Sequence, residues 1–326
     1  MSSTCPLCGD SGAQLWLTAP DFRCGGEQRY RLVRCNACGL IRQDPTASAS
    51  ILEAAYSQDY IPHAPPVPPQ APHLLRRLRL ASHLGYSLSL PPASRNRMIS
   101  SVMRWFARRV LPEGGRTPPW VSGGILLDVG CGSGNYLLAM RALGWQVLGV
   151  EPNEVAAVRA RAAGLTVIAT SLEKALIPPA SIDVVTFWHV IEHLPDPLAT
   201  LRHVRMLLRP TGRLLVEVPS LASVQARFFR GVWFHLDQPR HLTMYTPQTL
   251  RLLLEQAGFT IITLTTEADS KGWVASVADA LASRRGRLAS PATRNSRWLL
   301  RAATPLAWGE ALVGRGALLR AAARRA

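Results

Sequence analysis

The stretch ILLDVGCGSGN, residues 125–135, runs from an apolar segment into a glycine-rich turn. The apolar segment predicts a buried strand, and the residues after the turn follow a helical pattern. Glycines permit positive φ angles and let a ligand approach the backbone, and the start of a helix offers N–H groups that lack intrahelical partners. The strand, the glycine turn (residues 130–134) and the helix together predict a ligand site at the carboxyl end of a strand.

The spacing of the glycines separates two kinds of nucleotide site. A dinucleotide fingerprint, G-x-G-x-x-G, would place its third glycine where the chain has Asn135. The spacing found is G-x-G-x-G, at Gly130, Gly132 and Gly134. This tighter form is the one that S-adenosylmethionine sites use, because they hold no pyrophosphate. Asp128 precedes it, and we expect that carboxylate to organise the cofactor, with helix capping or loop bracing as the alternative.

A second acidic residue, Glu151, directly follows the apolar segment QVLGV at residues 146–150. A carboxylate at the end of that predicted strand can accept hydrogen bonds from both ribose hydroxyls of a nucleoside. An isolated acid at a strand end is usually only solvated. Because the glycine turn lies just upstream, ribose binding is the favoured interpretation.

The surrounding sequence alternates short apolar runs with helical patterns, which predicts βαβ units and a parallel sheet in an α/β fold. Asn153, Asp196 and Thr246 are residue types that cap helix N-termini, and we expect helices to begin beside them. The predicted strands are residues 125–129, 146–150, 165–169, 182–187, 213–218 and 259–264.

Two cysteine pairs near the N-terminus have the spacing of a zinc site. Cys5 and Cys8 form one C-x-x-C knuckle, and Cys35 and Cys38 form a second. Four thiolates in this pattern predict a structural Zn²⁺ in a tetrahedral site, with a pair of disulfides as the alternative. Cys24 is a spare cysteine and an alternative ligand.

Composition and motifs divide the chain of 326 residues into four segments. Residues 1–40 are predicted to form a zinc-ribbon-like module, and residues 41–120 a linker and helical cap region with helical patterns at 73–90 and 95–110. Residues 121–268 are predicted to form the cofactor-binding core. Residues 269–326 are predicted to form an Arg- and Ala-rich helical segment with a candidate last strand.

The chain is strongly basic, with a formal net charge of +16. This charge favours an anionic ligand or surface, or simply a basic exterior, and does not choose between them. No apolar run is long enough to span a membrane, and the first residues do not have the pattern of a secretory signal. A cytoplasmic location is the expectation.

The segments LLDVGCGSGNYLLAMRALGWQVLGVEPN and FWHVIEHLPDP resemble class I S-adenosylmethionine-dependent methyltransferases of the ubiquinone-biosynthesis-like and polysaccharide-cluster type, over residues 121–268. CPLCG, CNACGL and PRHLTMYTPQTLRLLLEQAGF extend the resemblance to a zinc-ribbon-bearing subgroup that includes sugar methyltransferases. The resemblance implies a Rossmann-like seven-stranded sheet of order 3-2-1-4-5-7-6. Strand 7 would be antiparallel and come from residues 316–323, after an insertion at 273–305.

The resemblance also implies the cofactor contacts. The glycine turn would approach the methionine part and Glu151 the ribose, while His189 would lie beside the sulfonium. Ser171 and Leu172 would lie at the adenine. Relatives often have aspartate where Ser171 stands, so adenine recognition would rest on the backbone of Leu172 and on packing.

Methyl transfer to a hydroxyl or an acidic carbon requires removal of a proton, for which histidine is the usual base. His241 and His189 are the predicted catalytic residues, with His235 as a further candidate. His241 lies in a segment that resembles one in zinc-ribbon sugar C-methyltransferases, where a Glu-His pair serves catalysis. Arg240 replaces that glutamate and suggests an arginine that binds an anionic group of the substrate, such as a phosphate.

His189, Glu192 and His193 have the i, i+3, i+4 spacing that places side chains on one face of a helical turn. Such a set could ligate a divalent metal. The favoured interpretation is that Glu192 and His193 brace the loop by hydrogen bonds.

Three classes of function fit the sequence. The leading one is a methyltransferase for a small molecule, such as a sugar, a nucleotide-sugar or a related envelope or secondary-metabolite precursor. A nucleic-acid methyltransferase is the second, although strand 4 ends in FWHV at 187–190 and not in the Asn/Asp-Pro-Pro-Tyr of amino-methylating enzymes. The third is a non-catalytic protein whose basic helices, at 74–109 and 284–325, bind a membrane or a partner. The oligomeric state and the methylated atom stay open.

Overall fold

The computed structural model describes residues 4–25, 28–56, 64–69, 74–87 and 115–326. The predicted helix at 95–110 lies outside these residues. The chain forms two compact units, the first from Met1–Ile61, Pro178–Ala180 and Thr186–Ala326, and the second from Pro62–Ile177 and Ser181–Val185. These units cut across the four segments expected from composition.

The strands of the described residues are β1 (Ala13–Pro20), β2 (Arg29–Cys35), β3 (Ile41–Gln43), β4 (Ile125–Val129), β5 (Gln146–Val150), β6 (Val167–Ile168), β7 (Ile182–Trp188), β8 (Leu208–Pro219), β9 (Thr243–Met244), β10 (Phe259–Glu267) and β11 (Leu318–Arg325). The α-helices are α1 (Ala49–Ala55), α2 (Leu74–His83), α3 (Asn135–Ala142), α4 (Glu154–Ala162), α5 (Pro197–Leu207), α6 (Val224–Phe229), α7 (Pro247–Gln256), α8 (Ser270–Ser283), α9 (Pro291–Arg294) and α10 (Arg297–Leu312).

Seven of these strands form one sheet in the order β10-β11-β8-β7-β4-β5-β6. When the strands of this sheet are numbered along the chain from β4 as strand 1 and read from the β6 edge, the order is the predicted 3-2-1-4-5-7-6. The expected Rossmann-like α/β class is confirmed. The last strand, β11, is antiparallel to both β10 and β8. Leu319, Ala321 and Ala323 are buried at alternate positions along it. This period of two explains why an Arg- and Ala-rich sequence forms a strand.

In the second unit, β4, β5 and β6 are paired in parallel. Helix α3 packs against β5 and α4 packs against β6. The buried face of α4 consists of Ala156, Ala157 and Ala160. Small side chains on that face allow the helix to lie close to its neighbours. Asn153 caps α4 by accepting a hydrogen bond from the N–H of Ala156, as the sequence predicts.

In the first unit, a four-stranded antiparallel sheet has the order β1-β2-β3-β9. Its core contains Leu32 and Ile41 from the N-terminal strands and Trp233, Leu236 and Met244 from a distant part of the chain. The N-terminal strands therefore share a core with this distant part of the chain. Helices α8, α9 and α10 lie between β10 and β11 in the chain, where the resemblance places an insertion. Within the described residues, no helix is both long and apolar enough to cross a membrane.

Candidate active site

The glycine turn of the second unit has the backbone that its sequence predicts. Gly130, Gly132 and Gly134 all have positive φ angles, of 70°, 53° and 87°. Gly134 precedes α3 and provides no side-chain cap. A Cβ on Gly134 would overlap Cδ1 of Leu165, so both the backbone angle and the neighbouring side chain favour glycine. The start of α3 therefore has no side-chain cap on its first N–H groups.

Glu151 is buried and holds the glycine turn directly. Its Oε2 accepts a hydrogen bond from the N–H of Gly132 at 2.8 Å, and its Oε1 accepts one from the N–H of Asn153 at 2.9 Å. Burial raises the pKa of Glu151, although both backbone donors act in the opposite direction. Each oxygen keeps a further lone pair, which fits the predicted acceptance of ribose hydroxyls. The ribose contact itself stays a prediction.

The other predicted cofactor residues of this unit are Asp128, Ser171 and Leu172. Asp128 is buried within β4. Ser171 precedes a short 3-10 helix, Leu172–Lys174, without capping it through its side chain, and Leu172 is buried. Their contacts with the cofactor stay predictions.

His189 belongs to the first unit and lies between two carboxylates. Its Nδ1 is 3.3 Å from Glu192 Oε1, and its Nε2 is 3.4 Å from Glu217 Oε1. Burial alone would lower the pKa of His189, but the two carboxylates outweigh it and raise the pKa to about 9. An imidazolium has no lone pair for a proton, so this geometry disfavours His189 as the general base at neutral pH. Its predicted place beside the sulfonium stays a prediction.

The surroundings of His241 lower its pKa, whereas those of His189 raise it. Its Nδ1 donates a hydrogen bond to the carbonyl oxygen of His235 at 2.8 Å. Nε2 therefore carries the lone pair, and it lies 3.9 Å from Glu192 and 3.8 Å from Asp237. Burial, together with the nearby His193, lowers the pKa of His241 to about 3. The imidazole is neutral at physiological pH and presents a nitrogen that can accept a proton or bind a cation.

Glu192, His193 and His241 form a buried trio. Their ligand atoms lie within 4.8 Å of one another. Glu192 is fully buried, and among the described residues neither of its carboxylate oxygens has a hydrogen bond of good geometry. His193 donates from Nδ1 to the carbonyl oxygen of Arg240, and the hydroxyl of Tyr56 lies 2.7 Å from the same nitrogen. A carboxylate and two imidazoles fit a divalent transition metal.

This trio differs from the set suggested by sequence spacing. His189 lies outside it, and His241 from a distant segment takes that place. Glu192 does not brace the loop with its carboxylate through hydrogen bonds of good geometry, although its backbone oxygen accepts one from the N–H of Leu242. The bracing interpretation is therefore supported for His193 and not for the Glu192 side chain.

The guanidinium of Arg240 is bound by other groups of the protein. Its guanidinium is fully buried and bonds to both oxygens of Asp21, at 2.8 and 3.1 Å. It also donates to Asp237 at 2.9 Å and to the carbonyl oxygen of Ala55 at 3.2 Å. All three nitrogens are occupied by the protein itself, so the expectation that Arg240 binds an anionic substrate group is wrong for this structure. It joins distant parts of the first unit.

The four N-terminal cysteines converge as the sequence predicts. The Sγ atoms of Cys5, Cys8, Cys35 and Cys38 lie within 4.8 Å of one another. The closest pairs are 3.6 and 3.5 Å apart, which is too long for a disulfide. A tetrahedral zinc ion with Zn–S bonds of about 2.3 Å would separate its sulfurs by about 3.8 Å, so the four thiols fit Zn²⁺. Cys24 lies apart from them, 3.8 Å from a nitrogen of Arg240.

Sequence reasoning missed three residues of the first unit's cluster: Tyr56, Glu217 and Asp237. One signal was available for Glu217, because it is an acid within the apolar run LLVEVP at 214–219. A charge in a buried strand needs a partner, and here it is shared between His189 and Arg320. Tyr56 and Asp237 carry no comparable signal.

The chain is similar to known methyltransferases. Residues 95–264 match the methyltransferase domain family. A ubiquinone biosynthesis O-methyltransferase of Aeromonas salmonicida is 37% identical over 107 residues, which cover 29% of this chain and 45% of the relative. A probable S-adenosylmethionine-dependent methyltransferase of Mycobacterium tuberculosis is 32% identical over 157 residues, 48% of this chain and 55% of the relative. The chain thus spans about half the length of these curated relatives.

Among solved structures, an S-adenosylmethionine-dependent methyltransferase from Mesorhizobium loti covers 67% of this chain and 95% of its own, with a TM-score of 0.44 and 21% identity. The family match is the stronger finding, because it spans more than half of the chain. It contains the glycine turn, Glu151, His189 and His241. The chain belongs to the methyltransferase domain family.

Proposed function

We propose that this protein transfers a methyl group from S-adenosylmethionine to a small-molecule acceptor. The observation that carries the proposal is the glycine turn with its three positive φ angles, fixed by Glu151 through the N–H of Gly132. A turn with three glycines, next to a helix start without a side-chain cap and a buried carboxylate, fits a nucleoside whose methionine part carries a carboxylate. The family match and both named relatives support the same reaction.

The acceptor we propose is a hydroxyl or an acidic carbon of a sugar, a nucleotide-sugar or a related precursor. A neutral amine can attack the methyl group before it loses a proton, whereas a hydroxyl or an acidic carbon needs a base to remove its proton. His241 offers the Nε2 lone pair for that proton. Glu192 and Asp237 beside it favour the charged ring that results, against the burial that lowers its pKa. The name of the Aeromonas relative, an O-methyltransferase, supports oxygen, and the resemblance to sugar methyltransferases supports the sugar class.

In the proposed mechanism, bound S-adenosylmethionine supplies a methyl group on a positively charged sulfur. Glu151 and the glycine turn bind and orient the nucleoside. His241 takes the proton of the acceptor at Nε2, and the acceptor then forms the new bond to the methyl carbon as the bond from that carbon to sulfur breaks. The carboxylates of Glu192 and Asp237 stabilise the imidazolium that results.

The buried trio offers a second way to remove the proton. Glu192, His193 and His241 would hold a divalent ion, which would lower the pKa of an acceptor hydroxyl bound to it. His241 would then be a ligand and not the base. Metal content distinguishes the two versions. If His241→Ala holds one metal ion fewer than wild type and still holds the zinc that Cys35→Ser releases, the version with a metal ion in the trio is favoured. If His241→Ala and wild type have equal metal content, the version with His241 as the base is favoured.

The test of the proposed function combines binding and turnover. Titration of the purified protein with S-adenosylhomocysteine should give a dissociation constant on the order of micromolar, about −8 kcal/mol. Methyl transfer from labelled cofactor should then be screened over sugars and nucleotide-sugars. His241→Ala should lower turnover without changing cofactor affinity, whereas His203→Ala, on α5 and outside the trio, should change neither. Folded protein that binds no S-adenosylhomocysteine would contradict the proposal.

A further inference from the structure

Helix α10 has an unusual composition on its solvent side. The structure describes every residue from Arg297 to Arg315. The exposed positions are Arg297, Trp298, Arg301, Ala302, Pro305, Leu306, Trp308, Gly309, Leu312, Val313, Gly314 and Arg315. Each of these twelve is either apolar or arginine, and none is acidic or a neutral polar residue. We call this set the outer face of α10.

The helix is held to the protein by its opposite side. Ala307 and Glu310 are buried there, and α10 packs against α8. Glu310 accepts a hydrogen bond from the side chain of Gln225 at 2.6 Å. The only acidic residue of the helix thus points inward, and the apolar residues of the outer face are left over after the internal packing is complete.

The large side chains of the outer face are well exposed. Trp298 is 70% exposed, Trp308 is 62% and Leu312 is 84%. Trp298, Pro305 and Leu312 are seven residues apart, so they follow one line along the helix. Isolated apolar residues on a surface are ordinary, but a continuous line of them on one helix marks an interaction site.

The segment that carries the outer face is strongly basic. Residues 284–315 contain seven arginines and a single acid, Glu310, which is buried. One of the seven, Arg294, is paired with Asp279 inside the fold. The remaining arginines give the segment a positive field that attracts an anionic surface.

We propose that the outer face of α10 docks on an anionic membrane surface. Exposed tryptophans and leucines insert into the boundary between headgroups and acyl chains, while arginines bind phosphate groups. A helix of 16 residues is about 24 Å long and lies in the plane of such a surface. This binding does not require the proposed methyl transfer, so the two can fail independently.

Two other occupants fit the observations less well. In a symmetric dimer the same face meets itself, and the arginines would face each other with no acid to pair with. A nucleic acid would use the arginines and could stack on tryptophan, but Pro305, Leu306 and Leu312 have no aromatic ring for a base to stack on. A lipid surface uses the arginines, the aromatic rings and the aliphatic side chains together.

The experiment is flotation of the full chain with phosphatidylcholine vesicles, with and without about a third of phosphatidylglycerol. Wild type should float with the anionic vesicles, and salt should release it. Trp298→Ser/Trp308→Ser should weaken binding by at least about tenfold, because both rings leave the interface. The matched control is Met206→Ser/Phe228→Ser, which removes two exposed apolar side chains from α5 and α6 and should bind as wild type does.

Arg297→Gln/Arg301→Gln gives a second, charge-only variant, with Arg202→Gln/Arg251→Gln as its control on α5 and α7. It should weaken binding to anionic vesicles and leave the fold unchanged by circular dichroism. The proposal is overturned if wild type does not float, if both controls weaken binding as much as the test variants, or if anionic lipid makes no difference. A dimer in solution that the tryptophan variant dissociates, or tight binding of an oligonucleotide with no binding of vesicles, would assign the face to another partner.

Discussion

The glycine turn and the buried trio are built in opposite ways. The turn is made of consecutive residues, and its carboxylate, Glu151, gives both oxygens to backbone N–H groups. The trio joins residues 192–193 to His241, and its carboxylate, Glu192, has no hydrogen bond of good geometry among the described residues. A satisfied carboxylate holds a loop in shape, whereas a buried one without such bonds needs another partner, such as the nearby imidazoles or a cation.

The two regions also depend on different forces. The turn depends on backbone conformation, since only glycine tolerates its φ angles at little cost. The surroundings of the trio depend on charge, because Arg240 holds Asp237 beside His241 and ties the segment to Asp21. Substitutions that remove one force at a time should therefore affect one region and leave the other intact.

The largest effect is expected for Arg240→Met. This change leaves the buried carboxylate of Asp21 without its guanidinium partner and removes one of the two that Asp237 has, Arg23 being the other. Breaking a buried ion pair on one side costs about 3–5 kcal/mol of unfolding free energy. Urea unfolding measures the loss.

The control for this prediction is Arg251→Met, which removes an exposed arginine 3.7 Å from Glu255 on α7. An exposed pair contributes at most about 1 kcal/mol. Equal losses in the two variants would show that the arrangement around Arg240 is not held by charge, and the contrast with the glycine turn would disappear.

Gly134→Ala, in the glycine turn, should have the next largest effect on the free energy of unfolding. The positive φ angle costs an alanine about 1–2 kcal/mol, and the clash with Leu165 adds about 1–3 kcal/mol. Stability and affinity for S-adenosylhomocysteine should fall together. Gly123→Ala is the matched control, because Gly123 has a φ of 64° but nothing within 4 Å of the added Cβ. If both variants lose the same stability, crowding at Leu165 plays no part.

Glu151→Gln should weaken cofactor binding while leaving the trio unaffected. The amide group replaces one acceptor oxygen by a donor that faces a backbone N–H, and charge-assisted hydrogen bonds to the ribose are lost. We expect a loss of about 1.5–3 kcal/mol in the binding of S-adenosylhomocysteine, measured by calorimetry. Glu154→Gln, on the exposed start of α4, should bind normally. Unchanged affinity of Glu151→Gln would end the ribose assignment.

The contrast between the regions also explains what the sequence could reveal. The strands of the α/β core, the glycine turn and the four cysteines are encoded locally, by apolar periodicity, glycine spacing and short knuckles, and were predicted from them. The order of the strands in the sheet was predicted from the resemblance to class I methyltransferases. The role of Arg240 was predicted wrongly, because its partners Asp21 and Asp237 are set by tertiary packing. His241 was identified as a candidate, but its place beside Glu192 and His193 in the buried trio depends on a contact between distant segments.

The smallest effect is expected from the pH dependence of His189, whose side chain is 30% exposed. Its pKa is raised from 6.5 to about 9 in the folded protein, because Glu192 and Glu217 outweigh burial. A raised pKa in the folded state gives a stabilisation that is complete below about pH 6.5 and is lost as the pH rises through about 9. The difference in unfolding free energy between wild type and His189→Gln should therefore shrink over that range, by about 1 kcal/mol because solvent screens the pair. Urea unfolding at about pH 6 and about pH 10 measures it.

The same comparison in a Glu192→Gln background should show a weaker pH dependence. A difference that does not change with pH would mean that His189 is not held as an imidazolium, and His189 would then return as a candidate base beside His241.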